Sequence, residues 1–209
     1  MFIVFEGGEG SGKSTQARLL YQWLVKQGNN VLLTKEPGGD GSVCQDIRQV
    51  LLNEQYVSIL YPLTEFFLFL SDRAQHVATV ISPALEIGQV VVCDRFQAAT
   101  FAYQCVARSV CSQREFEFMN TLATGGIVPD LTLWIDIDPL VGLKRNFEMG
   151  KRDRFEAEDE AFHRRVREGY LAYFSQCKDP WYKLDGSQRV DVLKRRVIER
   201  VEQLLGERK

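Results

Sequence analysis

Five short apolar runs punctuate the chain: Phe2 to Phe5, Val31 to Leu33, Val90 to Cys93, Leu131 to Ile135 and Tyr182 to Leu184. None shows the polar alternation of a strand with one wet face, so they predict strands buried on both sides, as in a parallel sheet. Between and beyond them, apolar positions recur at helical spacing, predicting helices at 13–28, 41–52, 63–86, 98–107, 113–124, 139–150, 158–178 and 190–206. Strand alternating with helix predicts an α/β three-layer sandwich, a five-stranded parallel sheet flanked by helices, with ligands bound at the carboxyl ends of the strands. No internal repeat or Pro/Ser-rich linker divides the chain, so residues 1–209 read as one domain.

Composition narrows the functional classes. At 209 residues, 45% hydrophobic and 26% charged, the chain has the make-up of one soluble globular domain. No apolar stretch approaches the ~20 residues of a membrane span. The amino terminus lacks a basic leader, and the five cysteines form no CxxC pair. These features predict a cytoplasmic protein without a membrane partner. A net charge of −2 argues against general nucleic-acid affinity, but the charge is unevenly spread. Residues 1–140 carry 9 basic against 15 acidic side chains, and residues 141–209 carry 17 against 13. The basic final third reads either as a solvated, salt-bridged helix surface or as a segment that meets phosphate.

The first strand leads into Gly7-Gly8-Glu9-Gly10-Ser11-Gly12-Lys13-Ser14-Thr15, which fits G-x-x-x-x-G-K-[ST], and a helical pattern follows. Four glycines let backbone N–H groups converge on phosphate oxygens at a helix amino terminus, where the helix dipole favours negative charge. Lys13 would reach the β- and γ-phosphates of a nucleoside triphosphate, and the Ser14 hydroxyl would ligate Mg²⁺. The chain lacks the D-x-x-G and N-K-x-D elements of a switch GTPase.

Asp94-Arg95-Phe96 follows the third strand. A carboxylate there is placed to hold Mg²⁺, directly or through water, and an adjacent arginine can clamp phosphate. An Asp at this spacing also serves as a helix cap. In the predicted helix 63–86, Phe69 and Arg73 are four residues apart and share a face, so a ring able to stack on a base lies beside a guanidinium able to donate to it. A Phe-rich stripe is also what core packing produces.

Taken together, these residues resemble the thymidylate kinases, specifically the bacterial type. The resemblance spans nearly the whole chain: the phosphate loop, Thr34-Lys35-Glu36-Pro37-Gly38-Gly39, Phe69 to Arg73, Asp94-Arg95-Phe96, Ala102-Tyr103-Gln104, Pro129-Asp130-Leu131-Thr132, Gly142-Leu143-Lys144-Arg145 and Asp153-Arg154-Phe155-Glu156. It implies transfer of the γ-phosphoryl group of ATP to dTMP by a homodimer. It further implies that Phe69 stacks on thymine, Arg73 bonds it, and Thr100 and Gln104 approach its Watson–Crick edge. Glu9 would meet the 3′-hydroxyl and Tyr103 would crowd the 2′ position. Arg95, with Arg48 and Lys35, would hold the acceptor phosphate beside the Glu36-Pro37 segment, whose peptide bond the resemblance favours as cis. Arg145 would lie against adenine. The chain departs from the family at Lys35, usually Arg, and at Cys105 and Ser109, usually Gly.

A phosphate acceptor is already ionised near neutral pH, so this transfer needs no general base; it needs positive charge between two anions. The resemblance implies one further arginine, either in the phosphate loop or in a mobile lid at about 146–158; with none at Gly8, Gly10 or Ser11, it implies Arg152 and Arg154 as the catalytic candidates beside Lys13 and Arg95. A solvated loop would carry the same basic run. Two alternatives stay open: another phosphate-loop kinase, acting on a different nucleotide or on a deoxynucleoside with Glu36 as base, and a nucleotide-binding regulator without catalysis.

Overall fold

A computed structural model describes residues 1–39, 41, 43–57, 59–150 and 153–206. The five predicted strands form one parallel sheet in the order β2-β3-β1-β4-β5, with β1 at Phe2–Glu6, β2 at Val31–Lys35, β3 at Val90–Asp94, β4 at Leu131–Asp136 and β5 at Trp181–Asp185. Central β1 is buried along its whole length, whereas edge strands β2 and β5 are largely half-buried or exposed.

Successive β1 side chains point to opposite faces and so seed two cores. Ile3 and Phe5 pack with Ala17, Leu20 and Leu24 of α1 (Lys13–Lys26) and with Leu193, Val197 and Val201 of α9 (Val190–Gly206). Phe2 and Val4 face the opposite layer, which includes Val77, Ile81 and Phe96. On that side lie α2 (Val43–Leu52), α3 (Pro62–His76), α4 (Ser82–Glu86), α5 (Gln97–Thr100) and α6 (Gln113–Thr124). α7 (Pro139–Glu148) and α8 (Glu160–Gln176) follow β4. Trp134 of β4 stacks on Phe174 of α8 at 4.9 Å between centroids, joining an aromatic cluster with Tyr103, Phe162 and Tyr170.

The predicted helix at 63–86 is α3 and α4 joined through a π-helical stretch, Val77–Ile81. Pro83 has no N–H to give the carbonyl four residues back, and Ser82 instead donates to Val77, five back. A second π-helical stretch, Phe101–Ala107, continues α5 and carries Tyr103 and Gln104. α8 is shorter than the predicted 158–178 because Asp159 caps its first turn, accepting from Phe162 N at 2.7 Å. A 3₁₀ turn at Glu54–Tyr56 has no counterpart in the sequence reading. Among the described residues, no helix is long and apolar enough to cross a membrane.

Candidate active site

A single cleft of ≈1870 Å³ runs across the carboxyl ends of the strands. One drug-sized ligand occupies about 300–1,000 Å³, so two nucleotides fit. Glu9 to Thr15 form one wall. Gly10 has φ 63°, and a Cβ built on it would sit 1.9 Å from the carbonyl oxygen of Gly142; one built on Gly142 would sit 2.1 Å from that of Glu9. Glycine at both positions is what lets the phosphate loop and α7 touch backbone to backbone.

Lys13 is 6% exposed and donates to Gly8 O at 2.7 Å and Ser11 Oγ at 3.3 Å. Burial lowers its ammonium to about 8, with Arg95 adding to the effect against the pull of Glu9 and Asp94. A cation held this way gains where phosphate arrives. Ser14 donates its hydroxyl to Asp94 Oδ2, while Asp94 Oδ1 is buried with no hydrogen-bond partner. These hard oxygen donors beside the phosphate loop fit a Mg²⁺ ion that also takes phosphate oxygens and water.

Facing them, Arg95 has φ 72°, a left-handed conformation rare for a branched-out residue and characteristic of functional sites. It donates to Glu9 Oε1, to Gly7 O at 3.1 Å and to Tyr103 Oη at 3.4 Å, and its guanidinium carbon lies 5.1 Å from the Tyr103 ring centre. Tyr103 also donates to Glu9 Oε1 at 2.7 Å. Burial alone would raise the Glu9 carboxyl, but Arg95, Lys13 and Tyr103 outweigh it and hold it down to about 2. Lys35 lines the cleft nearby, its ammonium lowered by burial and by Arg48. Arg48 lines it too and donates to Pro37 O at 2.7 Å, past a cis Glu36–Pro37 bond. Arg95, Lys35 and Arg48 therefore line the cleft together with Lys13.

Phe69, Arg73, Thr100 and Gln104 line the inner end. Arg73 is 1% exposed and commits three donors: Nε to Glu36 Oε2 at 2.9 Å, Nη1 to Asn120 Oδ1 at 3.1 Å and Nη2 to Thr100 Oγ1 at 2.9 Å. A guanidinium has five N–H groups, so two remain for a ligand. Glu36 lies 3.1 Å from His76 Nδ1 with its other oxygen, so it is tied on both sides. Arg145 donates to Gly186 O at 2.9 Å and lines the opposite end beside Ser187 to Asp191.

Two sequence expectations need restating. Arg152, with Lys151, lies outside the described residues. Arg154 does not line the cleft. It is 1% exposed, donates to Leu51 O at 2.9 Å, pairs with Glu65 Oε2 at 2.5 Å and packs 4.5 Å over the Phe155 ring. Reaching a γ-phosphate would require leaving all three, so its place here is in the frame of the site. Gly7 and Gly8 also lie off the cleft lining, Gly8 on a small cavity behind the loop. The Ser109 that replaces a glycine adopts φ 55°, the conformation glycine favours.

Sequence reasoning passed over several residues. Asp153, Phe155 and Glu156 line the cleft, as does the segment from Ser187 to Asp191. Glu6, fully buried, accepts from Phe96 N at 2.9 Å, Ala99 N at 3.1 Å and the Tyr170 hydroxyl at 3.1 Å. It ties the end of β1 to the start of α5. Burial raises its carboxyl against the pull of Arg95 and the two N–H groups.

Comparison with known proteins identifies the family. The family model described as Thymidylate kinase matches residues 5–197. The thymidylate kinase of Dehalococcoides mccartyi is 43% identical over 99% of this chain and 97% of its own. That of Thermosynechococcus vestitus is 43% identical over 91% and 82%. The crystal structure of thymidylate kinase from Ehrlichia chaffeensis superposes with a TM-score of 0.78 at 29% identity, covering 97% of this chain and 98% of that one. The chain belongs to the thymidylate kinase family.

Proposed function

We propose that the protein transfers the γ-phosphoryl group of ATP to the 5′-phosphate of dTMP, giving dTDP and ADP. The observation that carries this reading is one cleft lined by four cations, Lys13, Arg95, Lys35 and Arg48, together with Phe69 and Arg73, in which Arg95 lies near enough to lower the Lys13 ammonium. Repulsion between two polyanions is the main barrier, and fixed cations remove it without reorganising during the reaction. Arg95 holds the acceptor phosphate in line with the γ-phosphate lodged on Lys13. Phe69 stacks on the base, the free N–H groups of Arg73 donate to it, and Tyr103 crowds the 2′ position of the sugar. Ser14 and Asp94 hold Mg²⁺, which when bound neutralises charge on the β- and γ-oxygens. Arg145 and the backbone near Gly186 receive the adenine.

A deoxynucleoside acceptor would require a free carboxylate base, and Glu36 is engaged by Arg73 and His76. An ADP-release assay across dTMP, dUMP, dCMP, AMP and thymidine tests the reading. Highest kcat/KM for dTMP is expected; preference for another acceptor, or ATP binding without transfer, overturns it. We also propose a homodimer formed through α3 and α6, where Phe67, Phe118 and Leu122 stand 49%, 67% and 68% exposed. Sedimentation of a Phe118→Asp variant as a monomer would agree, and a monomeric wild type would end that proposal. A reducing cytoplasm suits the five free cysteines.

A further inference from the structure

The inner end of the cleft is built by two helical stripes that face each other. Glu65, Phe69 and Arg73 recur every four residues along α3, and Thr100 and Gln104 do so along α5 and its π-helical continuation. Arg73 donates to Thr100 at 2.9 Å, and Gln104, four residues past Thr100, donates its Nε2 to Oε1 of Glu65, eight residues before Arg73, at 2.8 Å. Glu65 is 1% exposed, accepts a further, longer bond at Oε1 from Arg108 Nε at 3.4 Å, and is ion-paired through Oε2 with Arg154 at 2.5 Å. A carboxylate so placed only accepts, so the Gln104 amide has one permitted orientation: NH₂ toward Glu65, carbonyl away. That carbonyl, Gln104 Oε1, is buried without a hydrogen-bond partner in a side chain that is 0% exposed and lines the cleft. A buried acceptor left open is costly unless a ligand donor completes it.

We infer that Glu65 is the positioning residue that sets base choice: by fixing the Gln104 amide it presents an acceptor to the base edge and so selects pyrimidines that carry a proton on N3. The inference rests on the acceptor reading above. Thymine and uracil offer an N3–H donor to Gln104 Oε1 and a 4-oxo acceptor to Arg73. Cytosine presents a bare N3 to the same carbonyl, acceptor against acceptor, and is refused. The refusal at N3 originates in Glu65, which never touches the base, and adds to the one Arg73 makes by meeting the cytosine 4-amino group donor against donor.

Glu65→Gln tests this while keeping shape and volume. Arg154 and Arg108 both carry only donors, but Arg154 stands 2.5 Å from Oε2 and Arg108 3.4 Å from Oε1, so the carboxamide oxygen takes the Oε2 position and the NH₂ faces Gln104. The Gln104 amide then turns over and offers its own NH₂ to the base. The kcat/KM ratio of dCMP to dTMP should rise about 10–100-fold, the scale of a buried polar group left unpaired or satisfied. The ratio of dUMP to dTMP should not change, because both carry the same N3–H and 4-oxo groups. On a Gln104→Leu background the same substitution should leave the dCMP to dTMP ratio unaltered. A fall of all three substrates in proportion, or a dCMP gain that persists without Gln104, would overturn the inference. A wild-type enzyme inactive on dTMP would instead defeat the acceptor reading. Thermal melting of both variants separates misfolding from altered choice.

Discussion

Gly142→Ala probes the place where the phosphate loop and α7 meet. A Cβ at Gly142 would lie 2.1 Å from the backbone oxygen of Glu9 and 3.5 Å from Ile137 Cγ2. Contacts of Cβ essentially never fall below 3.0 Å and are ordinary from 3.4 Å, so the two backbones must part by 0.9 to 1.3 Å. The obstruction is a peptide group, so no side-chain rotation relieves it. Either the loop retreats at Glu9, whose carboxylate contacts Arg95, or α7 retreats with Arg145. A misplacement of about 1 Å in a positioning element costs about 100-fold in rate, and overpacking costs about 1–3 kcal/mol in stability. Initial rates with ATP varied at saturating dTMP should show kcat/KM for ATP lowered about 100-fold, with a folded protein by thermal melting. Gly206→Ala, where an added Cβ meets nothing within 4 Å, is the control. A Gly142→Ala enzyme with wild-type kcat/KM would refute the claim that this backbone contact sets the geometry of phosphate binding.

Further outcomes follow from single groups. Lys13, held down to about 8, is charged in the free protein below that pH and loses its charge above it. Phosphate restores the charge, so ATP should bind more weakly as pH rises past about 8 and should take up a proton there. Calorimetry at about pH 8.5 in buffers of different ionisation enthalpy reads the uptake, and a zero value would remove Lys13 from phosphate binding. Asp94→Asn should raise the Mg²⁺ concentration for half-maximal activity about 10–100-fold; an unchanged titration would put the metal elsewhere. Arg154→Ala leaves the buried Glu65 with the Gln104 hydrogen bond and only the longer Arg108 contact as an ion-pair partner, so a loss of about 3 kcal/mol and a melting point lower by about 6–12 °C are expected. An undiminished melting point together with a turnover lowered about 100-fold would return Arg154 to the phosphates.

What the sequence disclosed and what it hid divide along physical lines. β1 is apolar because both its faces are covered, and that same pattern located it. The phosphate loop was legible because its glycines and Lys13 stand consecutively beside a strand and a helix, and Phe69 with Arg73 because helical geometry converts a spacing of four into a shared face. Arg154 misled because a buried guanidinium on Glu65 and a solvated one are written with the same letter in a basic run. Glu6 and Glu65 were overlooked for the converse reason: acids at a strand end and in a first helical turn look like ordinary caps until their partners, 90 and 39 residues away, are known. The lining from Ser187 to Asp191 carries no phosphate-binding signature; it reaches the cleft only because β5 lies beside β4.

The pairing of β1 with β3 has a consequence for how the cleft keeps its dimensions. Lys13 follows β1, Asp94 ends β3, and the two strands are locked at Phe5 opposite Asp94, with Arg95 N bonded to Phe5 O at 2.9 Å. Neighbouring strands stand about 4.8 Å apart, a spacing set by peptide hydrogen bonds and independent of the side chains they carry. The sheet thus acts as a ruler between donor and acceptor. A replacement in the cleft lining such as Lys35 leaves that spacing unchanged.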